Sequence, residues 1–476
     1  MTRSDSRISW HWPAILIVAV GLALWIGWVG FIASDDSLYY VGAQAWLEHP
    51  PVAGADHWST RFPLILTFAG VIATVGRNYA AFAVTAVLFY VVLVVLVGFF
   101  ARGVGGQRAG WIAALLTATL PVVVFHASTV SVDLLEVSAL IAGAMLLGRA
   151  TDDRVGLWRG GGAGLCFGIA ILCRETSVLA LVAFVPMFLI GRPVPRRVLV
   201  AAGVGLALTL GAEALFQYAM TGDPLRRYAI AFHHDEHIDR AANMEGNFLL
   251  WPPIDPLLVL LINDDFGLLF WLAGLALALG AARGLGEAQR RQLTILTAMA
   301  GASFVLVAAL YTKLVLNPRY FTLAAIVAVV VLALWLDRLA GRWRALLLVA
   351  IIGSDLLLMS VGNMHPRWEM EALVDAARRH PTEIVAGESH EVRRARIPMT
   401  FAGIDNLRYA PATPGGLIVM PASEAPAGVV VTRYPSPPTR LGGVLRALGL
   451  EPIVPQAIAR RMFAPDAEMV LVRTHS

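Results

Sequence analysis

Lysine is almost missing from this chain: Lys313 is the only one, and every other basic side chain apart from histidine is arginine. So complete a bias points to a GC-rich genome, as in many bacteria, and it marks the one lysine that escapes it. Cysteine is nearly missing too. Cys166 and Cys173 lie in one apolar stretch, ~10 Å apart along a helix, which is too far for a disulfide; they read as packing residues. Charge is scarce, at 15% of 476 residues against 58% hydrophobic, which excludes an ordinary soluble protein. The net charge of +4 does not point to nucleic acid, because the arginines cluster in short loops between apolar runs.

What the chain has in quantity is apolar sequence. Runs near bilayer-crossing length recur until about Gly362. From about Asn363 the composition shifts to Pro, Arg, Glu and Asp with only short apolar runs. The expected organisation is an α-helical polytopic membrane domain over 1–362 and a small soluble α/β domain over 363–476. Arg3 and Arg7 precede a first apolar stretch too long for a signal-peptide core, so it reads as an uncleaved anchor.

Charge sets the topology. With Arg3 and Arg7 inside, Asp35 and Asp36 emerge outside. The piece Phe62–Gly76 is short and opens with Pro63, which suits a segment lying in the interface. If it does not cross, the loops bearing Arg102 and Arg108, Arg149 to Arg159, Arg192 to Arg197, Arg283 to Arg291 and Arg338 to Arg344 all fall inside. Gly160–Ile190 then forms a hairpin with Arg174-Glu175 at its tip, each arm ~21 Å long. A charged tip at that depth needs a water-filled cavity, a ligand, or a mutual Arg174–Glu175 pair. The expected spans are 13–33, 79–101, 109–126, 132–149, 160–173, 176–191, 198–218, 257–282, 292–312, 320–336 and 345–362, eleven in all, with the C-terminal domain outside.

This topology gathers the polar residues at one face. Asp35 and Asp36 follow span one, and His57, Trp58 and Arg61 precede the interfacial piece. His126 ends span three, Asp133 and Glu136 begin span four, Arg174 and Glu175 cap the hairpin, and Lys313, Asn317, Arg319 and Tyr320 join spans nine and ten. Adjacent carboxylates repel and share a partly desolvated site, which raises a carboxyl pKa and fits one of them to accept a proton; a solvated loop start is the plain alternative. Arg binds phosphate as a fork and Lys as a point charge. An acid pair facing such cations across an apolar site suits a lipid-phosphate substrate. A transporter would instead place these groups near the midplane along a path.

These residues carry a resemblance. The chain resembles the GT-C superfamily of polytopic glycosyltransferases, in its protein O-mannosyltransferase and lipid A aminoarabinose transferase branch. Asp35-Asp36-Ser37-Leu38-Tyr39-Tyr40 is similar to that family's acidic and aromatic pairs after the first span. His57-Trp58-Ser59-Thr60-Arg61-Phe62-Pro63-Leu64 resembles the approach to its interfacial helix, and Ser131-Val132-Asp133-Leu134-Leu135 the acidic start of its fourth span. Leu172-Cys173-Arg174-Glu175 falls where the family usually has Leu-Thr-Lys, and Asn317-Pro318-Arg319-Tyr320 resembles its late Arg-Tyr start. The family's second acid is often Glu where this chain has Asp36.

The resemblance covers about 1–340. It implies a polyprenyl-phosphate sugar donor and hexosyl or pentosyl transfer, usually inverting, to a lipid, glycan or protein acceptor at the outer face of the cytoplasmic membrane. It implies Asp35, or else Asp36, as base. Arg174, Lys313 and Arg319 would hold the donor phosphate, and His57, Arg61, Asp133, Glu136, Tyr39 and Tyr320 would bind the acceptor or orient it or the base. No cofactor is expected, although a divalent metal stays open. The rival reading is a transporter or flippase of the same polyprenyl-linked headgroup.

Other signals are less decisive. His233, His234 and His237, with Asp235 and Glu236, sit in a long outer loop, 219–256; the spacing admits a metal pair on a helix, but a loop shaping the acceptor pocket is the preferred reading. Asn263-Asp264-Asp265 interrupts the eighth apolar stretch and is either a helix start or part of the cavity. In the C-terminal domain, helices are expected at Trp368–Arg379 and Arg440–Leu448, and strands at Glu383–Ala386, Leu417–Met420, Val429–Thr432 and Met469–Val472.

Overall fold

A computed structural model describes residues 11–233, 254–310, 317–362, 365–409, 414–425 and 429–475. Its first part is helical: α1 (His11–Gly27), α2 (Asp35–Glu48), α3 (Phe62–Val75), α4 (Tyr79–Gly105), α5 (Gln107–Thr119), α6 (Pro121–Ser128), α7 (Asp133–Gly148), α8 (Arg154–Cys173), α9 (Val178–Leu181), α10 (Phe184–Ile190), α11 (Arg196–Thr221), α12 (Arg226–His233), α13 (Asp255–Ile262), α14 (Leu269–Ala278), α15 (Glu287–Leu310), α16 (Thr322–Arg338) and α17 (Gly341–Gly362). Among the described residues six helices are long and apolar enough to cross a bilayer, seven if α5 and α6, bent by 63°, count as one. The other four expected spans are shorter or broken: α1 stops at Gly27, α7 has 16 residues, 175–190 is divided into a 3-10 turn, α9 and α10, and 255–278 is divided into α13 and α14.

α4 shows why the apolar pattern fits lipid. Val84, Leu88, Val91, Val95 and Phe99 recur every three or four residues and are exposed, while Phe82, Phe89, Tyr90, Leu93 and Val97 are buried. Such a stripe would be prohibitive in water and is ordinary against acyl chains. α8 and α11 approach closely through small residues. A Cβ on Gly164 would lie 1.9 Å from the Ala202 carbonyl oxygen, and one on Gly205 2.1 Å from that of Gly161; only glycine lets the two backbones touch.

The undecided Asn263-Asp264-Asp265 run proves to be the break between α13 and α14. It has a use. Pro121 starts α6 at the bend after α5, where first-turn N–H groups have no helical partner. The Val122 N–H is accepted by the Asp265 carbonyl at 3.1 Å, and the Asn263 side chain stabilises the turn by accepting the Asp265 N–H at 2.8 Å.

α3 has 14 residues, short for a span. Arg61, just before it, bonds Tyr39 of α2. Just after it, Arg77 pairs with Glu48 at the end of α2 and Tyr79 packs on Phe401. Both ends of α3 are therefore at the end of the bundle that carries the C-terminal sheet. The arginine-rich loops meet at the opposite end. There Arg108 pairs with Asp337, Arg291 donates to the Leu147 carbonyl, and Arg338 donates to the carbonyls of Gly280 and Arg283.

The last part is a five-stranded mixed sheet of order β2-β1-β3-β5-β4, with β1 (Val385–Gly387), β2 (Leu407–Tyr409), β3 (Leu417–Pro421), β4 (Val429–Tyr434) and β5 (Met469–Arg473). α18 (Trp368–Arg379), α19 (Ser389–Arg394), α20 (Arg396–Ala402), α21 (Arg440–Ala447) and α22 (Gln456–Phe463) surround it. The four strands and two helices expected from the sequence are present. β2, α19, α20 and α22 were not expected, because each is short and carries too few alternating or periodic positions to stand out from loop sequence.

Candidate active site

The site is built from chain segments that end at the sheet-bearing side of the bundle. α2 opens with the two acids. Asp36 is 1% exposed, and its carboxylate accepts three backbone N–H groups: Ser34 at 2.8 Å, Ser37 at 3.0 Å and Ile32 at 2.8 Å. Burial pushes its carboxyl up to about 6 against the pull of those donors, and neighbouring Asp35 adds to the rise. Asp36 thus ties the irregular segment 28–34 to the first turn of α2. Asp35 is partly open, with a third of its side chain exposed, and its Oδ2 lies 3.5 Å from Nη1 of Arg319.

Arg319 comes from the turn before α16. The Asn317 side chain accepts the Arg319 N–H at 3.1 Å, and Pro318 fixes the first position of a 3-10 turn, so the sequence Asn-Pro-Arg-Tyr presents the next two side chains from a capped start. The guanidiniums of Arg319 and Arg174 lie 5.9 and 5.2 Å from the centroid of the Tyr320 ring, within cation–π range.

Arg174 and Glu175 do not pair with each other. Arg174 is 5% exposed and reaches Asp133 at 2.6 Å and Glu136 at 3.4 Å. Ser177 donates to Glu136 at 2.5 Å. His126 completes this group, with Nδ1 3.6 Å from Asp133 and 3.0 Å from the Ser131 hydroxyl. Glu175 instead holds Arg227 at 2.7 Å. A cavity is lined by Glu136, Arg174, Ser177, Arg319 and Tyr320, with Val137, Leu140 and Leu323 as its apolar wall.

Arg61 bonds Tyr39 and His57, and all three are buried. Burial pushes the Tyr39 hydroxyl up to about 12, so it stays protonated. The structure therefore brings together Asp35, Asp36, Tyr39, His57, Arg61, Asp133, Glu136, Arg174, Arg319 and Tyr320 at one end of the bundle. Lys313, along with His234, Asp235, Glu236 and His237 of the histidine cluster, lies outside the described residues. Among the described residues no group of three or more His, Cys, Asp or Glu side chains is disposed to hold a metal.

Sequence reasoning missed Arg227. It is fully buried in α12 and donates to the Thr60 carbonyl at 2.6 Å, the Ile171 carbonyl at 3.2 Å and Glu175. It thereby joins the approach to α3, the end of α8 and the hairpin tip. In sequence it is half of Arg226-Arg227 in a polar loop, which reads as solvated surface; the one available signal was Glu175, a buried-tip acid in need of a cation.

The Asp35–Arg319 pair offers a proton acceptor beside a cation, and the groups behind it offer a fixed, charge-balanced wall. Residues 57–216 match the family model described as dolichyl-phosphate-mannose-protein mannosyltransferase. No curated protein matches the chain significantly. Among solved structures, the chain is similar to ArnT from Cupriavidus metallidurans bound to undecaprenyl phosphate, at 12% identity and a TM-score of 0.58, covering 97% of this chain and 98% of that one. The apo state of the same protein gives 12% identity, a TM-score of 0.53 and coverage of 89% and 96%. The Archaeoglobus fulgidus oligosaccharyltransferase tethered to an acceptor peptide gives 14% identity and a TM-score of 0.51, covering 82% of this chain and 63% of that one. At these identities the likeness is one of fold.

Proposed function

We propose that this chain, which has the fold of the GT-C glycosyltransferases, moves a sugar from a polyprenyl-phosphate carrier to an acceptor hydroxyl or phosphate. The reaction takes place at the outer face of the cytoplasmic membrane, with the N-terminus inside and the sheet outside. The observation that carries the reading is Asp35, a third exposed, facing at 3.5 Å the Arg319 guanidinium, which itself lines a cavity with Tyr320, Arg174 and Glu136. Asp35 takes the proton of the acceptor O–H. The oxygen then attacks the anomeric carbon from the side opposite the phosphate, and the C–O bond to phosphate breaks with inversion. The leaving polyprenyl phosphate keeps the bonding pair, and its charge meets Arg319, a focusing of charge that is strong where water is scarce; Lys313 is assigned the same role from its position in the sequence alone. Arg174 faces Asp133 and Glu136, which neutralise it, so its part is to hold the wall behind Tyr320 in place. The donor is a polyprenyl-phosphate-linked hexose or pentose, and the acceptor is a lipid, glycan or protein; the loop 219–256 and the sheet region select it.

Purified protein in nanodiscs, given polyprenyl-phosphate sugars, tests this. Sugar transfer or donor turnover that depends on Asp35 is the expected result. No turnover with any donor, together with movement of the lipid-linked sugar across vesicles, overturns it in favour of transport. Mass spectrometry of lipids and glycans in a deletion strain then names the acceptor.

A further inference from the structure

The segment that leads to Asp35 has no regular structure of its own. It runs from Trp28 to Ser34 with positive φ at Gly30 (83°) and at Ala33 (57°), the one such non-glycine among the described residues. Left to itself such a stretch would sample many conformations. Two sets of contacts hold it. From the bundle, the Ser128 hydroxyl accepts the Val29 N–H at 3.1 Å and Thr129 donates to the Gly30 carbonyl at 3.1 Å. From the sheet region, Arg367 donates to the Phe31 carbonyl at 3.1 Å and Arg394 donates to the Ile32 carbonyl at 2.7 Å.

The second set is itself braced. Nη1 of Arg394 donates to both carboxylate oxygens of Glu391, at 3.0 and 3.2 Å, and Nη2 also reaches the Pro366 carbonyl. Arg367 pairs with Glu371 at 2.6 Å. Gly30 is the residue that allows the approach, since a Cβ there would sit 2.7 Å from the Arg367 guanidinium. Ile32 is the junction: its carbonyl accepts from Arg394, and its N–H is donated to Asp36 at 2.8 Å. The chain of contacts Glu391–Arg394–Ile32–Asp36 ends one residue from Asp35.

We propose that Arg394, with Arg367, is a positioning residue: the C-terminal region fixes the backbone of Phe31–Ile32 and through it sets the place of the Asp35 carboxylate. This rests on the reading of Asp35 as base. The C-terminal region thereby tunes the reaction itself, in addition to any part it has in choosing an acceptor.

The experiment uses the full chain in nanodiscs and compares wild type, Arg394→Ala, Arg394→Lys and Arg433→Ala. Arg433 is on β4 and pairs with Glu468 at the surface, away from the segment. Three quantities are read: turnover of a polyprenyl-phosphate sugar, binding of polyprenyl phosphate alone, and amide exchange of the peptide covering 28–37. In Arg394→Ala, turnover falls on the order of 10- to 100-fold, as expected for a displaced reacting group, while lipid-phosphate binding stays near wild type. The unfolding temperature falls, since Glu391 loses its cation, but the chain remains folded. Exchange at 28–37 rises while that of the β-sheet does not. Arg394→Lys, which still places a donor near Ile32, recovers part of the turnover, and added guanidinium ion recovers part of it in Arg394→Ala, which a partly unfolded protein would not show. Arg433→Ala matches wild type.

Unchanged turnover and unchanged exchange in a folded Arg394→Ala overturn the proposal, as does an equal loss in Arg433→Ala. If wild type turns over no donor, the proposed function fails on its own account, and the exchange measurement still decides whether Arg394 holds the segment.

Discussion

Asp35 and Asp36 are neighbours in the chain, yet they serve different partners: Asp35 faces the Arg319 guanidinium at 3.5 Å, whereas Asp36 accepts the N–H groups of Ile32, Ser34 and Ser37. One acid is left partly open beside Arg319 and the other is built into the backbone around it.

Substitution separates them. Asp35→Asn removes the proton acceptor and lowers turnover by about 10²–10⁴-fold, with lipid-phosphate binding and thermal stability retained. Asp36→Asn turns an amide N–H toward a backbone donor and costs about 1–3 kcal/mol of stability. Turnover and unfolding temperature measured on both variants check the division; near-normal turnover in Asp35→Asn would move the base elsewhere.

Asp36 also gives stability a pH dependence of definite sign. Its carboxyl lies at about 6 in the fold and at 3.8 when exposed. Between those values the native state holds a proton that the unfolded chain has lost, so stability falls as pH rises from about 4 to about 6 and levels off above. Asp36→Asn removes that part of the slope. Unfolding temperatures across this window, compared between the two proteins, give the answer, and identical slopes would assign it to other groups.

Arg174 and Arg319 part in the same way. Arg174→Met leaves Asp133 and Glu136 buried without their cation and costs about 3–5 kcal/mol, visible as lost yield or a lowered unfolding temperature before any activity is measured. Arg319→Ala keeps the fold and weakens polyprenyl-phosphate binding by about 10-fold or more, the range for losing one charged hydrogen bond. Equal destabilisation by both would remove the distinction.

The seam between α8 and α11 tolerates no added carbon. Gly164→Val drives a side chain into the Ala202 carbonyl and forces the two helices apart; overpacking of this kind costs about 1–3 kcal/mol or more. Gly203→Ala, on the same α11 but with nothing within 4 Å of the added carbon, is the matched neutral change. Unfolding temperatures in detergent compare the two.

Chelation is the remaining test. A leaving phosphate flanked by cations has less need of a divalent ion, so turnover survives excess chelator. Loss of turnover, with recovery on adding Mn²⁺ or Mg²⁺, would direct attention to Asp35, Asp36 and the histidines of the 219–256 loop.

The sequence made some of this plain and hid the rest for physical reasons. The acid pair, the short Phe62 helix, the hairpin tip and the Arg319-Tyr320 start are local signals, each a break in an apolar pattern, and the structure has all of them at one end of the bundle. Partner choice is not local. Nothing in Arg174-Glu175 tells that one turns to α7 and the other to α12, since helices far apart in sequence decide it. Arg227 is invisible for the same reason. The use of Asn263-Asp264-Asp265 is equally non-local, since it lies in the Val122 N–H that the Asp265 carbonyl accepts. The expected first span overshoots α1 because residues 28–33 are as apolar as a helix, while their conformation is imposed by Ser128, Thr129, Arg367 and Arg394.

That both flanks of α3 lie at the sheet-bearing end has a consequence for parity. A polytopic chain alternates sides with every crossing, so one segment that declines to cross shifts the phase of everything after it. Fourteen residues thus keep the arginine-bearing loops together at one end and the acidic and aromatic turns at the other. Had they run from one end of the bundle to the other, every later turn would change ends, and Asp35 would be parted from Arg174, Arg319 and the sheet by the length of the bundle.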